Sequence, residues 1–170
     1  MTMSKSAGVC GCGDSADHPF DGHHLGREVS LSRLPAAASK NGIVLLICGG
    51  REWTNYGVVE RELEAIHREF VVNLVIHGGA RGADTLGGRA AKALRIPVRV
   101  YMADWERYGK AAGIRRNYEM LRQGNPDHVL AFHSDLGKSK GTKHMLEIAE
   151  GAGVPTHLVT DGVNHVDFDY

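Results

Sequence analysis

Two glycine-rich stretches carry cations and hydrogen-bonding side chains at a spacing that suits an anionic ligand. In "IHGGARGAD", Gly78, Gly79 and Gly82 flank Ala80 and Arg81, with His77 before them and Asp84 after. Glycine admits positive φ and lets a ligand reach backbone N–H groups without a Cβ in the way. Arg81 offers a bidentate, charge-assisted contact to phosphate or carboxylate. Asp84 has two readings, a ligand for a ribose hydroxyl or the cap of the following helix. In "HSDLGKSKGTKHM", Ser139, Lys140, Gly141 and Thr142 stand where a helix should begin, and its unpaired amides and dipole attract an anion. Lys138, Lys140 and Lys143 suit that field or an ordinary solvated loop equally.

Two further stretches add candidates. "CGGREWTN" supplies a tight turn at Gly49 and Gly50, positive charge at Arg51, and at Trp53 either a face for stacking on a base or a plug over the helix end. "ADWERYGKAAGIRRNYEML" supplies Asp104 on a long loop, then Arg115 and Asn117 near a helix start, a guanidinium and an amide able to read phosphate or a base edge. Ile114, Tyr118 and Leu121 mark that helix's expected apolar stripe, with Arg115 and Asn117 off it. His77 and His133 end strands, as acid–base groups or as hydrogen-bonded structural residues. Neither G-x-G-x-x-G nor G-x-x-x-x-G-K-[ST] occurs in these loops, which removes the main support for an ordinary dehydrogenase or ATPase. No catalytic residue is assigned.

Regular elements must present these loops. "GIVLLICGG" is a continuous aliphatic run, as in a strand buried on both faces. Val59, Leu63, Ile66 and Phe70 recur at helical spacing between Tyr56 and Phe70. The alternation continues with strand "VVNLVI", helix 84–94, strand "PVRVYMA", helix 113–123, strand "HVLAF", helix 142–150 and strand "PTHLV", about five βα units in all. Such a chain folds as a parallel sheet with helices on both faces, and ligands favour the strands' carboxyl ends at the switch point. The loops after the first and fourth strands should be neighbours there.

The chain of 170 residues is 42% hydrophobic and 24% charged, enough for one well-buried core, expected over residues 41–170. Lys+Arg and Asp+Glu both number 20, so net charge gives no sign of a duplex-binding surface. No apolar run approaches the roughly 20 residues that cross a bilayer, and no signal-peptide core is present, so a cytoplasmic protein without a membrane partner is expected. Residues 1–40 are rich in Gly, Ser, Asp and His and read as a flexible N-terminal arm. Its Cys10, Cys12, His18, His23 and His24 do not have structural-zinc spacing, and no metal is expected. Its "EVSLSRL" alternates like a short edge strand. Cys48 lies in a predicted buried strand, against a disulfide framework.

"CGGREWTN", "LVIHGGARGAD", "ADWERYGKAAGIRRNYEML" and "SKGTKHMLEIAEGAGVP", in this order over roughly residues 42–159, resemble the YspA/YpsA-related branch of the SLOG superfamily. The resemblance implies a Rossmann-like three-layer sandwich related to the LOG phosphoribohydrolases, to molybdenum-cofactor carrier proteins and to the DNA-processing protein DprA. It implies a nucleotide or nucleotide-derived ligand of the NAD, ADP-ribose or nucleoside-phosphate kind, bound by a sensor or sequestering module with no resident cofactor. It also implies a homodimer. LOG enzymes carry P-G-G-x-G-T-x-x-E, whose Glu serves N-glycosidic cleavage. Here Gly141 and Thr142 match the Gly-Thr element, but Met145 stands where the Glu would be. Cleavage would need a substitute such as Asp84, Asp104 or Glu106. Hydrolysis is therefore the alternative function, and DprA-like single-strand binding a third, which zero net charge disfavours.

Overall fold

The computed structural model describes residues 42–160. The cysteines and histidines of the arm, and its "EVSLSRL" segment, lie outside the described residues. Five strands form one all-parallel sheet in the order β3-β2-β1-β4-β5. They are β1 (Ile43–Gly49), β2 (Val72–His77), β3 (Val98–Val100), β4 (His128–Phe132) and β5 (Thr156–Val159). Helices α1 (Tyr56–Phe70), α2 (Ala83–Ala93), α3 (Trp105–Tyr108), α4 (Ala112–Gly124) and α5 (Lys140–Gly151) connect them. This is the Rossmann-like α/β sandwich expected.

Alternation along the strands builds two cores. Leu45 and Ile47 of β1, with Leu130 and Phe132 of β4, face Val59, Leu63 and Ile66 of α1 and Ala83, Ala90 and Ala91 of α2. Leu46, Cys48, Val129 and Ala131 face Met120 of α4 and Met145, Leu146 and Ala149 of α5. Each two-residue step thus serves one layer, which is why the central strands read as unbroken aliphatic runs. Small residues bring helices close: a Cβ on Gly87 of α2 would stand 2.6 Å from the Ile47 side chain.

Three expectations differ from the structure. The third strand covers only Val98–Val100, not residues 97–103, because its partner β2 ends at His77 and Tyr101 makes the last bridging bond, to the His77 carbonyl at 2.9 Å. The chain beyond it folds into the short helix α3, capped by Asp104, where a long loop was expected. In α4 the buried face is Ala112, Asn117, Met120 and Gly124, with Leu121 half-buried against the same core, whereas Ile114 and Tyr118 lie off it. Ile114 and Tyr118 remain about half exposed. A Cβ at Gly124 would overlap Ile76, so the small residues set the phase by allowing α4 to approach the sheet.

Candidate functional site

The sheet order makes β1 and β4 neighbours, and their carboxyl ends meet directly. The Gly50 N–H donates to the Phe132 carbonyl at 2.8 Å. A Cβ on Gly49 would overlap that same carbonyl oxygen, and one on Gly50 would press the His133 ring at 3.2 Å. These glycines therefore join two loops at the switch point. Trp53 is only 4% exposed, packs on Phe132 with ring centroids 5.5 Å apart, and donates its indole N–H to the Asn55 carbonyl at 3.2 Å. It is the plug and not a stacking platform: burial against Phe132 removes its face from any ligand. His133 accepts the Asp135 N–H at Nδ1, 3.0 Å, as a structural histidine would.

The β2–α2 loop is held from within. Asp84 Oδ2 accepts the N–H groups of Gly78 at 3.0 Å and Ala80 at 3.3 Å, and His77 Nδ1 accepts that of Gly79 at 3.0 Å. Asp84 is not the α2 cap, since Gly82 holds that position and Asp84 lies inside the first turn. Burial raises its carboxyl to about 6, opposed by Arg116, the two amide bonds and Arg51. Burial lowers His77, with Lys92 and Arg116 adding to the effect. Gly79 and Gly82 take positive φ, 69° and 81°. A Cβ on Gly82 would stand 2.6 Å from the Arg51 carbonyl oxygen, so these glycines answer packing demands of the loop itself. Arg81 is exposed, pairs with Glu52, and donates to the Arg51 carbonyl at 3.3 Å, bracing one loop on another.

Helix α4 supplies what the sequence reading missed. Arg116, half-buried, donates to the Gly78 carbonyl and, through Nε, to Asn117 Oδ1 at 3.2 Å. A Cβ on Gly78 would overlap its guanidinium, so Gly78 is the space Arg116 occupies. Arg51 lies within electrostatic reach of Arg116 and Asp84. Asn117, buried rather than solvent-facing, donates Nδ2 to the Gly141 carbonyl at 3.1 Å and lies 3.3 Å from His144 Nδ1. Arg115 instead lies over the Tyr108 ring at 4.1 Å, and Asp104 caps α3 by accepting the Arg107 N–H at 3.0 Å. The signal for Arg116 was the small-residue phase of Ala112 and Gly124, outweighed by the conspicuous Ile114 and Tyr118.

At the start of α5, Ser139 accepts the Thr142 N–H at 3.2 Å, and its hydroxyl donates to Thr142 Oγ1 at 2.9 Å. The N–H groups of Lys140 and Gly141 find no acceptor among the described residues. Lys140 and Gly141 are exposed, and Thr142 is buried. This is the electropositive end of a full-length helix, tied by Asn117 to the helix that bears Arg116.

A sequence profile described as the YspA, cpYpsA-related SLOG family matches residues 43–108. Gene 61 protein of Mycobacterium phage D29 is 42% identical over 117 residues, spanning 65% of this chain and 91% of that protein. The chain belongs to the YspA, cpYpsA-related SLOG family. No solved structure matches it. In this SLOG protein Met145 is 1% exposed and packed in the α4–α5 core. Position 145 is thus filled by a core side chain. Of the suggested substitutes, Glu106 is exposed on α3 and Asp104 caps that helix, while Asp84 is buried behind the β2–α2 loop. Among the described residues no helix is long and apolar enough to cross a membrane.

Proposed function

We propose that this protein binds a nucleotide or nucleotide-derived ligand, of the nucleoside-phosphate, ADP-ribose or NAD kind, at the carboxyl ends of β1, β2 and β4. It acts as a sensor or sequestering module. The phosphate is held by the α5 start, with the free amides of Lys140 and Gly141 and the side chains of Lys140, Ser139 and Thr142, and by the guanidinium groups of Arg116 and Arg51. The observation that carries this reading is the Asn117–Gly141 hydrogen bond, which ties the uncapped amides of α5 to the helix bearing Arg116. Membership of the SLOG family supports the same ligand class at a coarse level. The β2–α2 loop contributes a wall rather than a ready cradle, because the Gly78, Gly79 and Ala80 amides already have partners. Titration calorimetry against AMP, ADP-ribose and NAD tests the reading. Binding to at least one, weakened in Arg116→Ala, is expected, and no heat from any at millimolar concentration overturns it.

One observation favours hydrolysis as a second reading: Asp84, raised to about 6, is a carboxyl suited to proton transfer near neutrality. Release of free base from nucleoside monophosphates, lost in Asp84→Asn, would support it. No release above an Arg116→Ala control removes it. We also propose that the protein works as a cytoplasmic homodimer, supported by the exposed Met102, Trp105, Ile114 and Tyr118 around α3 and α4.

A further inference from the structure

Three consecutive backbone donors, the N–H groups of Gly78, Gly79 and Ala80, all end on titratable side chains. Asp84 Oδ2 takes the first and third at 3.0 and 3.3 Å, and His77 Nδ1 takes the second at 3.0 Å. An imidazole accepts at Nδ1 only while that nitrogen is unprotonated, so the Gly79 bond requires the neutral tautomer carrying its proton on Nε2. A carboxylate accepts two N–H bonds much more strongly than a neutral carboxyl does. The loop's carbonyls are anchored differently. Arg116 donates to Gly78, and Thr85 Oγ1 donates to Ala80 at 2.7 Å, and neither donor changes charge in this range. The loop is therefore fastened by acid-labile acceptors on its N–H side and by acid-stable donors on its carbonyl side.

We propose that His77 and Asp84 form a proton-operated latch on the β2–α2 loop, closed near neutral pH and released when both side chains take up protons from solvent in mild acid. The groups facing the latch set its range. Asp84 faces Arg116 from α4, Arg51 from the loop after β1 and the Cys48 thiol on β1. His77 faces Lys92 from α2 and Arg116 from α4, and a Cβ at Gly88 of α2 would stand 2.6 Å from its Nε2. The cations favour the closed pairing of ionised Asp84 with neutral His77, while burial of Asp84 raises its carboxyl to about 6 and brings release within mild acid. The consequence for ligand, a pH-dependent wall to the crevice, rests on the nucleotide-binding reading. The latch itself does not.

Amide hydrogen exchange on the ligand-free full chain, read by NMR and corrected for intrinsic rates, tests it at pH 7.5 and pH 5. Protection at Gly78 and Ala80 is expected to fall about tenfold between the two, and that at Gly79 to fall with them, while β1 and β4 keep theirs. In Asp84→Asn the amide oxygen accepts at either pH, so the fall should vanish at Gly78 and Ala80 and persist at Gly79. In His77→Asn, whose side chain can accept the Gly79 N–H as an Asx turn, the pattern should reverse. Unchanged protection in the parent, or an equal fall at all three amides in both variants, overturns the latch. If Asp84→Asn does not fold, His77→Asn decides alone, by whether Gly79 keeps its protection at pH 5. With no ligand present, either outcome leaves the proposed function to be judged separately.

Discussion

Gly78 and Gly82 are four residues apart and should fail differently. At Gly78 an added Cβ meets the far end of Arg116, a side chain that can swing away, whereas at Gly82 it meets the carbonyls of Gly50 and Arg51 at a φ of 81°. Gly78→Ala should therefore fold and behave like Arg116→Ala, losing one charge-assisted contact worth roughly 1.5–3 kcal/mol, or about ten- to a hundredfold in affinity. Gly82→Ala should lose stability, by about 2 kcal/mol or more in denaturant melts, since the strain of a positive φ outside the αL well adds to backbone overlap. Equal stability loss in both variants would mean that Arg116 is held by more than the space at Gly78. Gly79→Val, at φ 69° and against Met102, belongs with Gly82 and reports on packing rather than on phosphate. His128 gives a different residue-scale test. Both its ring nitrogens are buried without a partner among the described residues, and burial, with His157 adding, lowers it to about 4. Above about pH 6.5 it is neutral folded or unfolded. As pH falls from there to about 4 only the unfolded chain takes the proton, so the native state loses up to about 3 kcal/mol. His128→Leu should be about 1 kcal/mol more stable at pH 7 and free of that acid loss. Parallel pH curves for parent and variant would refute the assignment.

Among the elements, α5 carries the phosphate proposal and α4 carries its positioning. Ser139 is the α5 cap, so Ser139→Ala should cost about 1 kcal/mol of stability and weaken AMP binding together. Loss of stability with unchanged affinity would place the phosphate elsewhere. The strands and the long helices were readable because burial on two faces leaves unbroken aliphatic runs and an amphipathic stripe fixes α1. The phase of α4 was not, since Ile114 and Tyr118 form a regular stripe that the fold leaves half exposed, while the buried face is marked by small or polar residues, Ala112, Asn117 and Gly124. Periodicity registers large apolar groups, and close approach to a sheet selects small ones. The same blindness named Arg115 in place of Arg116. Trp53 illustrates the complementary case. An indole after a glycine turn reads equally as platform or plug, and only its contact with Phe132 separates the two.

At the scale of the molecule, five parallel strands gather loops that lie far apart in the chain at one edge, and β1 beside β4 sets the junction. The sequence order of the loops gave that edge, but not which amides remain free there, because the partners of the β2–α2 amides depend on the fold around Asp84. Exposed Met102, Trp105, Ile114 and Tyr118 predict self-association, which sedimentation should show as a dimer at high micromolar concentration. A single species of monomer mass would contradict it. Adding ADP-ribose to the isotope-labelled protein and following amide shifts asks whether a nucleotide-type ligand sits at this edge. Saturable changes should centre on Gly50, Arg51, Arg116, Lys140, Gly141 and Thr142, with β5 and the amino ends of the strands unmoved. Saturable changes that leave the α5 start and Arg116 unaffected would contradict it.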